Sequence, residues 1–335
     1  MRPTTAGTGG SDIRWGMVGC GSVAMTKSAP SYQRVVGSEL VAVSSRRTDA
    51  AREYARDHGV DLVFEDPFEM IRSPEVDAIY VATPPDSHLR YALEAAEAGK
   101  PCCVEKPIAV ALNQAIAMVD AFDLADLPLF VSYYRRSLPR FDKVREWLVG
   151  KAIGPVRHVT WMLCRSPTAN DLAGSSGWRT QQESAPGGYF EDLACHGLDL
   201  FDYLLGPIEH AAGVHTNQNG LYDVPDAFAA SWIHENGATG TATWNFASPF
   251  RHDRVVITGA DGEVEFSVFD ECELSLRTSA YAQQLSVDNP KPIQLHHVEN
   301  MIASLRHGTD HPSTGRSALR TAYVMDAILN GIRRP

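Results

Sequence analysis

Three ionisable residues stand in a pattern that suits proton handling on a reacting oxygen: Lys106, in the run Glu105-Lys106-Pro107, and Asp192 and His196, four positions apart. Histidine has an intrinsic pKa of about 6.5, nearest to neutrality of the common side chains, so His196 is the natural proton donor or acceptor. If the stretch Pro186 to Leu205 holds a helix, Asp192 shares one face with it and can orient the ring or bond a substrate hydroxyl. A lysine at a strand end donates to an oxygen and stabilises the negative charge that develops there. The bond from Lys106 to Pro107 is a candidate for cis geometry. Cys195 beside Asp192 and His196 raises metal ligation, but no cluster has zinc spacing, and no metal is expected.

A second pattern is Gly19-Cys20-Gly21-Ser22-Val23-Ala24, directly after the apolar run Ile13 to Val18. The first glycine permits a tight turn, the second lets backbone approach a pyrophosphate, and small Ala24 allows close helix packing, so Gly19, Gly21, Ser22, Val23 and Ala24 form a candidate dinucleotide turn. The next strand runs into Ser44-Ser45-Arg46-Arg47, with no acid before Asp49. A hydroxyl and two guanidiniums suit a ribose 2'-phosphate, so Ser45, Arg46 and Arg47 favour NADP, with NAD the alternative.

These residues need a scaffold. Ile13 to Val18, Leu40 to Val43, Ala78 to Ala82, Pro101 to Val104 and Leu129 to Ser132 are short apolar runs. They alternate with helical patterns such as Asp49 to His58 and Ser87 to Ala98, the signature of a parallel sheet covered on both faces. Beyond about residue 135 the rhythm changes. A helix, Arg140 to Val149, leads to Val156 to Cys164. Ala227 to Glu235 and Thr239 to Phe246 then flank the hairpin turn Asn236-Gly237. Val255 to Thr258 and Glu263 to Val268 flank a second turn, Glu273 to Arg277 adds a strand, and helical patterns His297 to His307 and Ser317 to Asn330 end the chain. The expected class is α/β: a Rossmann doubly wound parallel sheet over residues 13–134 and an α+β domain with an open, mostly antiparallel sheet over 135–335, the last helices packing back on the first domain. Residues 1–12 read as a disordered tail.

Composition narrows the partners. The 335 residues carry 30 Lys and Arg against 41 Asp and Glu, a formal charge of −11, which repels nucleic acid and anionic lipid. No apolar run reaches membrane-spanning length and the N-terminus lacks a signal-peptide core, so a cytoplasmic protein is expected. Six scattered cysteines imply buried reduced thiols and not a disulfide framework. Phe228, Ala230 and Trp232 share one strand face, and Ala242, Trp244 and Phe246 another. If that face is the outer one, it pairs with a second subunit, giving a homodimer or homotetramer.

Three further runs complete the set: Ala82-Thr83-Pro84-Pro85-Asp86-Ser87-His88, Trp178-Arg179, and Gly187-Gly188 ahead of Asp192, His196 and Asp199. With the glycine turn and Glu105-Lys106-Pro107 they resemble, in order and over nearly the whole chain, the glucose-fructose oxidoreductase and inositol dehydrogenase (Gfo/Idh/MocA) family. One departure is Tyr189, where many members have a third glycine. The resemblance implies hydride transfer between NAD(P) and a CH-OH/C=O group of a sugar, cyclitol or related polyol. It makes Lys106, Asp192 and His196 the catalytic set, which with Trp178 meets substrate, and lines the cofactor with Thr83, Pro84, His88, Glu105, Lys106 and Arg179. Arg135, Arg136 and Arg179 also suit an anionic substrate group, although surface charge accounts equally for the first two. Asp199 caps local structure or bonds a substrate hydroxyl. The rival functions are a non-catalytic NADP-binding redox sensor and a glycoside-cleaving enzyme that uses the cofactor transiently.

Overall fold

The apolar run Ile13–Val18 becomes β1, the middle of a six-stranded parallel sheet. The others are β2 (Ser38–Ser44), β3 (Leu62–Phe64), β4 (Ala78–Val81), β5 (Cys102–Val104) and β6 (Leu129–Val131), in the order β3-β2-β1-β4-β5-β6. The computed structural model describes residues 11–21, 24–175 and 177–331. Successive strand residues feed two separate cores. Val18, Val81, Val104 and Val131 join one cluster, while Trp15, Met17, Val43, Tyr80 and Phe130 join the other. Burial on both faces explains why these strands lack a polar alternation. The helices of this half are α1 (Ala29–Arg34), α2 (Thr48–His58), α3 (Pro67–Arg72), α4 (His88–Glu97) and α5 (Leu112–Leu124). Between the glycine turn and α1 the chain makes a π-helical turn, Ala24–Ser28, begun by the bond from Met25 N to Gly21 O at 2.9 Å.

Helix α6 (Pro139–Val149) leads into an eight-stranded sheet of β7 (Val156–Cys164), β8 (Ile208–Thr216), β9 (Ala227–His234), β10 (Thr239–Asn245), β11 (His252–Gly259), β12 (Gly262–Phe266), β13 (Leu274–Thr278) and β14 (Ala282–Leu285). Its order is β14-β13-β12-β11-β7-β10-β9-β8, antiparallel except for the parallel pair β7 and β10. The short helix α7 (Ala169–Leu172) follows β7, and α8 (Tyr189–Leu205) crosses one face of the sheet. Phe190 stacks on Phe228 at 4.5 Å and meets Trp244 edge-on; Phe201 does the same with Trp232 and Trp161.

That packing corrects the premise behind the subunit argument. Phe228, Trp232, Trp244 and Phe246 all point inward under α8. The outward face instead presents Thr160, Thr239, Thr241 and Thr243, with Met162 and Ile233 exposed among them. Strand periodicity groups residues on a face, and only the covering helix decides which face is inside. At the end of the chain, α9 (Leu295–His307) puts Val298, Met301 and Ile302 into the core with Trp15 and Tyr32. Helix α10 (Gly315–Leu329) closes the fold against α5, α8 and β8. Among the described residues no helix is long and apolar enough to cross a membrane. The expected tail lies outside the described residues as far as residue 10.

Candidate active site

Backbone bonds bring the strand ends together first. Gly19 N donates to Ser44 O, Ala82 N to Val18 O, and Glu105 N to Val81 O, at 2.8 to 2.9 Å. The carboxyl ends of β1, β2, β4 and β5 therefore form one rim, where the strand order reverses and open α/β sheets hold ligands. A cavity of about 450 Å3 sits on this rim. Of the residues singled out from sequence, Gly19, Gly21, Ala24, Ser45, Arg46, Arg47, Thr83, Pro84, Glu105, Lys106, Trp178, Arg179 and Asp192 line it. Ser22 and Val23 lie outside the described residues.

Two glycines shape the cradle in different ways. Gly19 has φ of 103°, and a Cβ there would stand 2.8 Å from Ala82 O. At Gly21 a Cβ would meet no described atom within 4 Å, so the backbone faces open cavity. At the other end, Arg46 and Arg47 are exposed, and among the described residues no hydrogen bond or ion pair engages either guanidinium. The nearest downstream acid, Asp49, faces Arg52 at 3.9 Å.

Lys106 is held from across the cavity by α8. Its Nζ donates to Asp192 Oδ1 and to the Asp192 carbonyl, both at 2.7 Å, and Arg179 Nε donates to Asp192 Oδ2 at 2.6 Å. Arg179 also lies over the Trp178 ring at 4.6 Å. Burial pushes the Asp192 carboxyl up, but the adjacent Lys106 and Arg179 outweigh it and hold the pKa at about 2. Burial likewise disfavours the ammonium of Lys106, yet Asp192 overcomes that and raises its pKa. Both groups are charged at neutral pH. An ammonium has three N–H donors, and two of these are spent on Asp192. The Lys106–Pro107 peptide is cis.

His196 follows one helical turn later but does not bond Asp192, whose carboxylate is taken by the two cations. Its Nδ1 instead faces Arg135 Nη1 at 2.8 Å. The ring meets Tyr133, Tyr134 and Phe269 edge-on. Burial first, then Arg135, Lys106 and Lys27, push its pKa well below the usual histidine value, so the ring is neutral at pH 7. Tyr134, Arg135 and Phe269 line a second cavity of about 580 Å3, together with Lys27.

The geometry also places His88, Arg135, Arg136 and Asp199. His88 is fully buried behind the cavity wall, its Nε2 2.8 Å from Thr83 O and its Nδ1 3.1 Å from Pro107 O, tying the loop after β4 to the loop after β5. Arg135 and Arg136 are not surface charges but are 6% and 4% exposed. Arg136 bonds Asp199 and Asp202, and Asp202 also takes Arg320. Asp199 is thereby committed to structure, with Thr321 as its further donor. Sequence reasoning missed the pairing of Arg135 with His196, whose signal was only a Tyr-Tyr-Arg-Arg run at a strand end.

Family models now meet this geometry. The model described as the oxidoreductase family with an NAD-binding Rossmann fold matches residues 13–133, and that of the GFO/IDH/MocA C-terminal domain matches 141–265. The chain belongs to the Gfo/Idh/MocA family. Its members' shared description makes it an NAD(P)-dependent oxidoreductase, of dehydrogenase or reductase type. It is 31% identical to Oxidoreductase P35 of Formosa agariphila, over 95% of this chain and 98% of that one. It is 26% identical to the D-apiose dehydrogenase of Paraburkholderia graminis, over 93% and 85% of the two chains. An oxidoreductase crystal structure from Thermotoga maritima shares the fold of this Gfo/Idh/MocA member with a TM-score of 0.86, at 24% identity and 96% coverage of both.

Proposed function

We propose that the enzyme transfers hydride between NADP and a CH-OH/C=O group of a sugar, cyclitol or related polyol. The observation that carries this reading is the Lys106 ammonium, with one N–H left over from Asp192, at the inner end of a cavity that begins at a glycine turn. The nicotinamide, when bound, supplies and accepts the hydride. Gly19, Gly21 and Ala24, with Ser22 and Val23 of the same motif, would hold the pyrophosphate; Thr83, Pro84 and Glu105 would line the ribose and nicotinamide end. Ser45, Arg46 and Arg47 support NADP over NAD, since among the described residues no carboxylate at the end of β2 is placed to take a ribose 2'-hydroxyl.

The protein's own chemistry is on the substrate oxygen. Lys106 donates its remaining N–H to that oxygen and stabilises the charge that develops there. Asp192 keeps the ammonium charged and aimed, and fixes Arg179 over Trp178 at the cavity wall. His196, on the next turn of α8, completes the catalytic set, and Trp178 joins Lys106, Asp192 and His196 against the substrate. Sugar chemistry in a relative, the D-apiose dehydrogenase, supports the substrate class. In this reading residues 13–134 form the dinucleotide domain and 135–335 the substrate domain. A homodimer or homotetramer would form through the exposed sheet face that carries Met162, Val214 and Ile233.

The test is a turnover screen of sugars and polyols with NADP and NAD, in both directions, with nicotinamide absorbance and product identity as readouts. His196→Ala lowers turnover by about 10² to 10⁴-fold while leaving dinucleotide affinity intact, the usual scale for acid/base and polarising groups. Product formation without net nicotinamide change would replace this reading with transient use of the cofactor. Binding without any turnover would replace it with a sensor.

A further inference from the structure

The second cavity carries a charge opposite to that of the chain. It is walled by the turn after β1, the turn after β6, the start of α6 and the loops after β12 and β14. Four cations, Lys27, Arg135, Arg140 and Lys291, line its roughly 580 Å3 with one carboxylate, Glu271, although the formal charge of the whole chain is −11. Lys27, Lys291 and Glu271 are exposed at the surface, whereas Arg135 and Arg140 are only 6% and 2% exposed. Neither buried guanidinium has a carboxylate partner among the described residues. Arg135 Nε donates to Val268 O at 2.9 Å, and its Nη1 lies 2.8 Å from His196 Nδ1. Arg140 donates Nη1 to Asp270 O at 2.7 Å and Nη2 to Cys272 O at 3.1 Å, and its buried Nε has no acceptor.

Arg136 shows the contrast. It is buried as deeply, but Asp199 and Asp202 neutralise it. A guanidinium stays protonated, and taking it out of water is costly unless an opposite charge meets it. Carbonyl dipoles give Arg135 and Arg140 hydrogen bonds but no countercharge. The cavity adjoins the reacting groups, since Tyr134 and Phe269 from its wall meet the His196 ring edge-on. Asn289, another wall residue, has a buried Oδ1 without a donor, which suits a ligand hydroxyl. The volume is within the usual range of about 300 to 1,000 Å3 for small-molecule sites.

We propose that this cavity binds a carboxylate or phosphate carried by the substrate, so that the enzyme acts on an acidic sugar or polyol in preference to its neutral parent. Arg135 and Arg140 meet the anion from the buried side, with the planar fork that suits both oxyanions, and Lys27 and Lys291 meet it from the mouth. The carbon that exchanges hydride lies at the other end of the ligand, where His196 takes or gives the hydroxyl proton beside Lys106. That the anion belongs to a substrate rests on the hydride-transfer reading, and the experiment separates the two.

Uronates, aldonates and sugar phosphates are each compared with their neutral parents, on dinucleotide-saturated enzyme at fixed ionic strength, so that the phosphate cradle is already filled. The acid exceeds its parent in kcat/KM by about 10- to 150-fold, the scale of one charge-assisted bond, and the series in which it does so names the anion. Arg135→Met abolishes that preference. Lys27→Gln, at an exposed position that spares folding, lowers it about 2- to 5-fold. Reading the ratio of acid to parent within each variant cancels any general loss of activity. Equal kcat/KM for acids and parents, or a preference that survives both substitutions, would overturn the inference and leave hydride transfer standing. If no compound turns over, calorimetric titration of the same pairs decides. Tighter binding of the acids, weakened in Lys27→Gln, supports the anion site while the oxidoreductase reading fails; no preference for the acids overturns the site.

Discussion

Replacing each glycine of the phosphate turn by alanine separates folding from binding. At Gly19 the new methyl is placed on a backbone with φ of 103° and 2.8 Å from the Ala82 carbonyl oxygen. A positive φ costs an L-residue about 1 to 2 kcal/mol. Displacing a backbone carbonyl adds a comparable strain, so Gly19→Ala loses roughly 2 to 4 kcal/mol of stability. At Gly21 the φ is not positive and the methyl meets no described atom within 4 Å. Gly21→Ala is then neutral or gains about 0.4 to 1 kcal/mol through a less flexible unfolded chain. The same methyl fills the space a pyrophosphate needs against the backbone. Losing one charge-assisted bond to phosphate is worth about 1.5 to 3 kcal/mol, or roughly 10- to 150-fold in Kd. Denaturant unfolding and dinucleotide titration of both variants give the answer. Wild-type affinity in Gly21→Ala, or a stability loss equal to that of Gly19→Ala, would refute the reasoning.

Arg46→Ala weakens NADPH about 10-fold, the low end expected for an exposed charge-assisted contact, and leaves NADH unchanged, as parallel titrations will show. Glu191 is buried in the first turn of α8, and burial, only partly offset by the bond from Gly187 N, raises its pKa to about 8. The folded state thus holds a proton that the unfolded chain releases above the ordinary glutamate value. Stability accordingly falls with rising pH from there to about 8, by up to about 1.4 kcal/mol per pH unit, and Glu191→Gln flattens that slope in unfolding titrations. Arg136→Met leaves Asp199 buried without its cation and lowers unfolding free energy by about 3 to 5 kcal/mol, measured by urea denaturation.

What sequence could show of this molecule was local. The glycine turn, the Ser45-Arg46-Arg47 loop and Glu105-Lys106-Pro107 each occupy one strand end, so short runs of residues sufficed to place them on a common rim. Asp192 and His196 share a helical face, as spacing requires, yet their partners come from Lys106, Arg179 and Arg135, and Arg135 and His196 are 61 positions apart. Nothing local in Tyr133-Tyr134-Arg135-Arg136 distinguishes a buried guanidinium from a solvated one. The strands that escaped notice fail for physical reasons too. Leu62–Phe64 spans three residues, Ala282–Leu285 is a polar edge, and Ile208–Thr216 buries none of its residues deeply enough to alternate. The Trp232 and Trp244 faces follow the strand period as expected but point inward, because α8, which covers them, lies elsewhere in the chain.

The most direct test of the account is a fluorescence titration of nucleotide-free protein with NADPH and NADH in parallel. Saturable binding of both is expected at the β1 to β4 rim, with NADPH the tighter. If neither binds, the cavity is not a dinucleotide site, and the cofactor role of the glycine turn and the catalytic role of Lys106 are both contradicted.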